Sequence, residues 1–212
     1  MAQKKTIAII GATGKRGSGI AKNLAKENHR LLLISEDVEA LSSLSNELAQ
    51  TKAVIEVVSC AKDACWEADI IIVATPYEIE KEVAGKIKEV AIGKIVISIS
   101  NPMDRSYENL FPSPDNSAAE ELQRLLPYSK VVTTFNASFI ENLASPMIPE
   151  KTADTFIAGN NSDAIETVSE SVRSAGFNPF VVGDLSMSRA LERMQLLLAQ
   201  KLAKPNFNWF AN

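Results

Sequence analysis

"TIAIIGATGKRGSGIAKNLAKEN", Thr6–Asn28, changes its periodicity at Gly11. Before that glycine, Ile7 to Ile10 form a short strand-type run. After Gly17, apolar residues recur at helical spacing through Ile20, Ala21 and Leu24. Gly11, Gly14 and Gly17 fall at intervals of three, so the stretch reads as strand, tight turn, helix. The first N–H groups of such a helix have no intrahelical partner and its dipole is positive, so a phosphate can sit there where no side chain blocks the approach. Glycine removes the side chain. Thr13 and Ser18 add hydroxyls, and Lys15 and Arg16 each bring a cation to a pyrophosphate. A glycine motif between a buried-type strand and an amphipathic helix predicts a dinucleotide site, against the plainer reading of an ordinary strand-to-helix turn.

Outward from this stretch, strand and helix signals alternate almost to the end of the chain. "RLLLIS", "AVIEVVS", "DIIIVAT", "KIVISIS", "KVVTTF", "DTFIAG" and "FNPFVVG" read as strands. Between them lie helical stretches at about Val38–Ala49, Asp63–Ala68, Tyr77–Ala91, Ser117–Leu126 and Ala164–Ala175, and "SMSRALERMQLLLAQKLA" forms a last long helix. Strands as apolar as "DIIIVAT" are buried on both faces, which requires a mostly parallel sheet covered by helices on each side. The expected fold is α/β and doubly wound, a Rossmann-type sheet with a C-terminal helix. A chain of 212 residues fits one such domain over 1–212, with its core at 1–134 and an extension at 135–212. The stretch Asn101–Asn116 holds three prolines and few periodic positions, so it is a long loop leaving the C-terminal end of a strand. Ligands bind at that edge of open α/β sheets, which makes the loop a candidate wall or lid, with a plain surface excursion as the alternative.

Composition excludes several function classes. Net charge is −4 and no basic cluster stands out beyond Lys15-Arg16 and the first five residues, so a nucleic-acid surface is not expected. The first apolar run stops after about four residues, too short for a signal-peptide core or a membrane span, and a cytoplasmic location is the default expectation. Cys60 and Cys65 read as free thiols. The single histidine, His29, falls in a turn opposite the glycine loop and reads as a surface or helix-end residue, which leaves no basis for a zinc site or a Ser/His/Asp triad.

The end of the second strand lies near the adenosine ribose if a dinucleotide binds, and Ser35, Glu36 and Asp37 fall there. A carboxylate at that point accepts from the ribose 2′-OH of NAD and repels the 2′-phosphate of NADP. By position this gives a modest NAD preference, although either acid also suits the first turn of the next helix. Lys15 and Arg16 oppose it, and the choice between NAD and NADP stays undecided. A second pattern, Tyr77-x-x-x-Lys81, matches the pair used by short-chain dehydrogenases. Here it follows the fourth strand directly, whereas in that superfamily it lies on a later helix.

Taken in order, these motifs resemble the coenzyme F420-dependent NADP oxidoreductases, a family related to the N-terminal domain of pyrroline-5-carboxylate reductases and to the reductase domains of some metal reductases. The residues that carry the resemblance are the stretch from Ile7 to Glu36, "ADIIIVATPYEIEKEV", "KIVISISNPMD", "SAAEELQRLLPYSKVVTTFNA" and "VVGDLSMSRALERMQLLL". The resemblance implies hydride transfer between a nicotinamide dinucleotide and a small-molecule redox acceptor, with a flavin or coenzyme F420 as candidate acceptors. Such a transfer needs held geometry more than proton chemistry. By the same resemblance, Gly11, Thr13, Gly14, Lys15, Arg16 and Gly17 with Ser35 and Glu36 bind the cofactor's phosphates and ribose. Thr75 and Pro76 lie along it, Asn101 and Pro102 stand near the nicotinamide, and Phe135, Asn136 and Ala137 border the acceptor pocket. The chain departs from NADP-using members at Glu36 and Asp37, where they carry basic residues after the serine. No metal ligand set and no catalytic acid or base is assigned.

Two other functions compete: a non-catalytic NAD(P)-binding or sensing module, and a short-chain-dehydrogenase-like reductase built on Tyr77 and Lys81. The aromatic end, with Phe207, Trp209 and Phe210, suits stacking on a flavin-like ring or packing against the body or a partner subunit. The apolar C-terminal helix suits a homodimer.

Overall fold

The computed structural model describes residues 4–103, 109–111, 115–136, 147–148 and 151–202. Ala137 and the aromatic residues Phe207, Trp209 and Phe210 lie outside the described residues, as does part of the Asn101–Asn116 loop. The strands are β1 (Thr6–Ile10), β2 (Arg30–Ile34), β3 (Val54–Val57), β4 (Ile70–Val73), β5 (Ile95–Ser98), β6 (Lys130–Thr133), β7 (Met147–Ile148), β8 (Lys151–Thr152), β9 (Asp154–Gly159) and β10 (Asn178–Gly183). The helices are α1 (Lys15–Leu24), α2 (Val38–Leu48), α3 (Ala61–Glu67), α4 (Tyr77–Ile87), α5 (Ala118–Leu125), α6 (Ser162–Ser174) and α7 (Ser188–Leu202), and a 3-10 turn, Leu185–Met187, leads into α7.

Eight strands form one sheet in the order β10-β9-β6-β5-β4-β1-β2-β3, and β7 pairs with β8 separately. From β3 across to β6 every neighbour is parallel. Beyond β6 the direction reverses: β9 pairs with it antiparallel through Val132–Gly159 and Thr133–Ala158, and β10 lies parallel to β9. The β1-to-β4 neighbour relation is the topological switch point, where chain order runs outward in both directions and ligands bind beyond the strand ends.

Strand period 2 distributes the core between the two faces. Ile7, Ile9, Leu31, Leu33, Ile70 and Ile72 pack on one face with Ile20 and Leu24 of α1, Leu41 and Leu44 of α2, and Val168 and Val172 of α6. Ala8, Ile10, Leu32, Ile34, Ile71 and Val73 pack on the other with Cys65 of α3, Val83 and Ile87 of α4, and Leu122 of α5. The fully apolar "IIIV" of β4 is buried along its whole length because helices cover both sides. Among the described residues no helix is long and apolar enough to cross a membrane.

Two readings need correction. His29 is buried, not a surface residue: its Nδ1 accepts from the Lys5 N–H at 3.3 Å, and its Nε2 lies 3.2 Å from Ser174 Oγ. Burial lowers its pKa and keeps the ring neutral, so His29 joins β2 to α6 at the sheet edge remote from the glycine loop. The fourth helix stops at Ile87 rather than running to Ala91: past it Val90 N–H closes a tighter i→i−3 turn on the Ile87 carbonyl, which it shares with Ala91 N–H. Cys60 is exposed and Cys65 buried, both as free thiols. Burial pushes the Cys65 thiol up to about 12, which makes it part of the packing and no nucleophile.

The glycines that shape the first turn differ in what they do. Gly11 has φ +84°, and a Cβ there would lie 2.7 Å from Ala74 O. Gly17 faces Gly11 so closely that a Cβ would stand 2.2 Å from the Gly11 carbonyl oxygen. We expect Gly17→Ala to destabilise the fold by about 1–3 kcal/mol or more through this backbone clash, measured by urea unfolding. Gly14→Ala, whose Cβ would have 3.3 Å to its nearest neighbour, should fall well short of that.

Candidate functional site

The loop between β1 and α1 is fixed from behind. Gly11 N–H and Ala12 N–H both donate to Ile34 O, at 2.9 and 3.0 Å, which ties the loop to the end of β2. Gly14 N–H returns to Gly11 O at 3.1 Å, and Gly14 then opens α1 with extended backbone angles and no side-chain cap. The first turn of α1 contains no acid, and it carries Lys15 and Arg16 where the helix dipole is already positive. Cations at a helix N-terminus oppose the dipole, and an anion reconciles the two. Ser18 does not contribute to that face, since its hydroxyl donates back to Lys15 O at 3.3 Å.

At the end of β2 the three polar residues separate into different jobs. Ser35 Oγ lies 2.5 Å from Thr13 Oγ1, so the two hydroxyls form one unit between the glycine loop and the second strand. Asp37 is the N-cap of α2 and accepts from Ala40 N–H at 2.9 Å. Its carboxylate is therefore committed to the helix. Glu36 and Asp37 are both exposed, and Glu36 is the one that does not cap the helix.

Across the sheet edge, a cleft of about 260 Å³ is lined by Gly14, Lys15 and Arg16 from the loop, Ala74 to Tyr77 after β4, and Ile99 to Asn101 after β5. Three separate chain segments from the motif list thus meet in one place. Arg16 reaches over the cleft and donates to Ile99 O at 3.2 Å. Pro102, next along the chain from Asn101, is buried. Asn101 Nδ2 donates to Asn136 O at 2.6 Å, which joins the ends of β5 and β6.

The same edge holds buried polar atoms with no hydrogen-bond partner among the described residues: Thr75 Oγ1, Ser98 Oγ, Asn101 Oδ1, Thr134 Oγ1, and both amide atoms of Asn136. Each such group costs about 1–3 kcal/mol if nothing satisfies it, and they are rare in ordinary cores. Their concentration at the ends of β4, β5 and β6 leaves this edge with polar groups that a ligand could complete.

Phe135 departs from its expected role. Its ring is buried in the core, 5.6 Å from Phe177 in an edge-to-face arrangement. Its φ of +59° is the one positive value among the described non-glycine residues. Such a conformation costs about 1–3 kcal/mol. The buried ring anchors the strained turn, and what the turn delivers to the edge is Asn136.

Sequence reasoning missed a polar cluster next to the cleft. Glu192 on α7 accepts from Ala118 N–H, at 3.0 and 3.3 Å, and from Ala119 N–H, so it caps α5 from another helix. Ser117 Oγ meets Ser188 Oγ at 2.7 Å, and Arg189 donates two hydrogen bonds to Glu120 at 2.7 and 2.5 Å. The local signals were present: "SAAE" is a capping box, with Ser117 Oγ donating to Glu120 Oε2 at 2.8 Å, and "SRALE" spaces Ser188, Arg189 and Glu192 on one face of α7. What the sequence did not show was that the two motifs meet.

Tyr77 stacks on Phe111 at 5.9 Å, and its hydroxyl donates to Glu121 at 2.5 Å. Burial first, and the Glu121 hydrogen bond second, raise the pKa of its phenol. That is the wrong direction for a proton-donating tyrosine of the short-chain dehydrogenase kind. The Phe111 contact brings a described part of the Asn101–Asn116 loop against the cleft wall. Glu80 sits one turn along α4 and is 3% exposed, with Oε1 unpartnered. Burial pushes its carboxyl up to about 8, nearby Glu192 and Glu121 add to the rise, and a hydrogen bond from Ser100 opposes it.

A model of the family "NADP oxidoreductase coenzyme F420-dependent" matches residues 6–102. The F420-dependent NADP reductase of Methanocaldococcus jannaschii is 32% identical over 206 residues, covering 91% of this chain and 90% of that protein. The crystal structure of a candidate F420-dependent NADP reductase from Arthrobacter sp. FB24 superposes with a TM-score of 0.82 at 25% identity, covering 96% of this chain and 97% of that one. Pyrroline carboxylate reductase from Plasmodium falciparum shares the fold, with a TM-score of 0.59 at 17% identity over 96% of this chain and 78% of that one. The chain belongs to the F420-dependent NADP oxidoreductase family and is an oxidoreductase.

A pH test follows from Glu80. Its folded pKa is raised, so its contribution to stability is whole below the unfolded value of about 4.3 and is lost as pH rises through about 8. Glu80→Gln should therefore gain in thermal stability relative to the parent between pH 5 and pH 9, read from the difference in Tm at each pH.

Proposed function

We propose that this family member is an NADP-dependent hydride-transfer enzyme that takes a flavin- or deazaflavin-class ring as its second redox partner. The observation that carries the reading is the cleft that joins Gly14, Lys15 and Arg16 to Thr75, Pro76 and Asn101. The residues present fit such a dinucleotide. The uncapped start of α1 and its two cations suit a pyrophosphate, and Gly14 leaves the approach open. Thr75, Asn101 and Asn136 bring unpartnered acceptors and an amide donor to the nicotinamide end.

NADP over NAD rests on the end of β2. Asp37 is occupied as a helix cap, which removes one of the two carboxylates that argued for NAD. The Thr13–Ser35 hydroxyl pair, with Lys15 nearby in the same loop, supplies donors for a 2′-phosphate. The F420-dependent NADP reductases among the relatives support the same choice. Glu36 is then an unfavourable neighbour that weakens the preference without reversing it.

A bound dihydronicotinamide supplies the hydride. The chain holds the two reaction partners in register and keeps water from the transfer. The Asn101–Asn136 link fixes the β5 and β6 ends relative to each other, so the groups that orient the nicotinamide share one rigid frame.

Fluorescence titration tests the cofactor assignment: NADPH should bind more tightly than NADH, and Glu36→Lys should widen the gap by about tenfold. Gly14→Asp should abolish NADPH binding while far-UV circular dichroism and Tm stay near those of the parent. Unchanged NADPH affinity in that variant would remove the cleft as the site. Oxidation of NADPH is then followed with a deazaflavin, a flavin, and small carbonyl or imine acceptors. Turnover confined to the carbonyl or imine set would replace the ring-acceptor assignment.

A further inference from the structure

We propose that Glu80 holds the proton that accompanies hydride transfer and delivers it through the Ser100 hydroxyl into the cofactor cleft. The inference rests on the hydride-transfer reading above and deepens it by assigning the proton, for which neither the motifs nor the family resemblance named a donor.

The geometry has three parts. Ser100 lines the cleft beside Asn101 and opposite Arg16, and its hydroxyl is near enough to the Glu80 carboxyl to favour that group's charged form. Glu80 lies almost wholly out of solvent, and one of its oxygens has no hydrogen-bond partner among the described residues. A separate groove of about 410 Å³ runs between α4 and α5, with Tyr77, Glu80, Lys81 and Glu121 in its lining. Tyr77 belongs to both walls. One carboxyl therefore stands between the reaction cleft and an opening through which water can replace a lost proton.

The surrounding charges keep this carboxyl protonated. On α4 itself the neighbour is the phenol of Tyr77; from α5 Glu121 faces it, and from α7 Glu192. All three are acidic groups; Lys81 and Arg124 line the same groove, and among the described residues neither is paired with Glu80. Glu192 is equally buried, yet its oxygens take N–H donors from the start of α5. Burial raises both carboxyls to about 8, and what separates them is geometry: Glu192 takes backbone N–H donors that favour its charged form, whereas one oxygen of Glu80 has none among the described residues, so Glu80 is the one to hold the proton.

The step balances. A ring acceptor of the flavin class that gains a hydride from NADPH has taken two electrons and one hydrogen nucleus, and needs one proton to complete its reduction. The Ser100 O–H bond breaks to give that proton, and the carboxyl O–H of Glu80 breaks to restore the hydroxyl. Glu80 is left as carboxylate until water in the α4–α5 groove reprotonates it. In the reverse direction the same pair accepts the proton.

The test begins on the ligand-free protein. With 13C-labelled glutamate, one carboxyl resonance that is missing from Glu80→Gln should titrate near pH 8, and Ser100→Ala should move its midpoint higher, since the hydroxyl favours the charged form. Steady-state kinetics with NADPH and a deazaflavin or flavin acceptor should show kcat falling as pH rises past that midpoint. Glu80→Gln should lower kcat about 100-fold and abolish that limb of the profile, with the NADPH dissociation constant unchanged. A Glu80 resonance that titrates in the ordinary carboxylate range would overturn the proposal, and so would a Glu80→Gln enzyme with parental kcat and the same pH limb. The resonance is read without nucleotide, so it judges the Glu80–Ser100 pair even where the choice of acceptor fails.

Discussion

The approach of Gly17 to the carbonyl of Gly11 sets the geometry on which the rest depends. No side chain fits between the first turn of α1 and the end of β1, so helix and strand are held at a distance that only two backbones can share. The start of the helix therefore lands at the C-terminal edge of the sheet, level with the ends of β4 and β5. Had α1 stood a side chain's width away, Lys15 and Arg16 would face solvent rather than Thr75 and Asn101 across a cleft. Gly11 adds the turn itself, in a backbone conformation that other residues adopt at a cost. The three glycines of the motif thus divide the work: two fix the joint, and Gly14 leaves it open to a ligand.

Much of the fold was legible because strand and helix periods are local properties. The alternation within "TIAII", "RLLLI" and "IIIV" sorts residues onto two faces, and burial follows it residue by residue. The meeting of the glycine loop with the ends of β4 and β5 was legible for a related reason, since glycine spacing and strand ends are visible in the sequence and parallel sheets bring strand ends together. Long-range contacts were less so. His29 looked like a turn residue because nothing near it in sequence announces Ser174, its partner from α6. Phe135 looked like a pocket wall because its position after β6 was right, while the direction of its ring depends on the positive φ and on Phe177, neither of which periodicity reports. Glu80 is one of several acids on α4, and nothing in the sequence sets it apart. Its burial depends on how closely α5 and α7 approach α4, which is a matter of packing rather than pattern.

The polar edge and the apolar core make opposite demands on the same strands. β4, β5 and β6 are hydrophobic through their centres and end in Thr75, Ser98, Asn101, Thr134 and Asn136, several with buried atoms left unpaired. Those atoms lower stability in the isolated chain and have value where a ligand's own polar groups complete them. The packing of Ile70–Val73 and its neighbours supplies the margin that makes such an edge tolerable, so stability at the centre of the sheet and incompleteness at its rim belong to one design.

The seam between α5 and α7 bears on how the chain is made. Ser117 meets Ser188, Glu120 meets Arg189, and Ala118 meets Glu192, each pair about seventy residues apart in sequence. During synthesis the first six strands can form while α7 is still inside the ribosome, and the start of α5 must wait with its backbone donors unmet. The last helix to emerge is then the one that locks a loop made a third of a chain earlier. Contacts of such long range slow the final stage of folding. They also make that stage a checkpoint: a chain released short of Glu192 has a sheet but lacks the clasp that holds one side of its ligand edge in place.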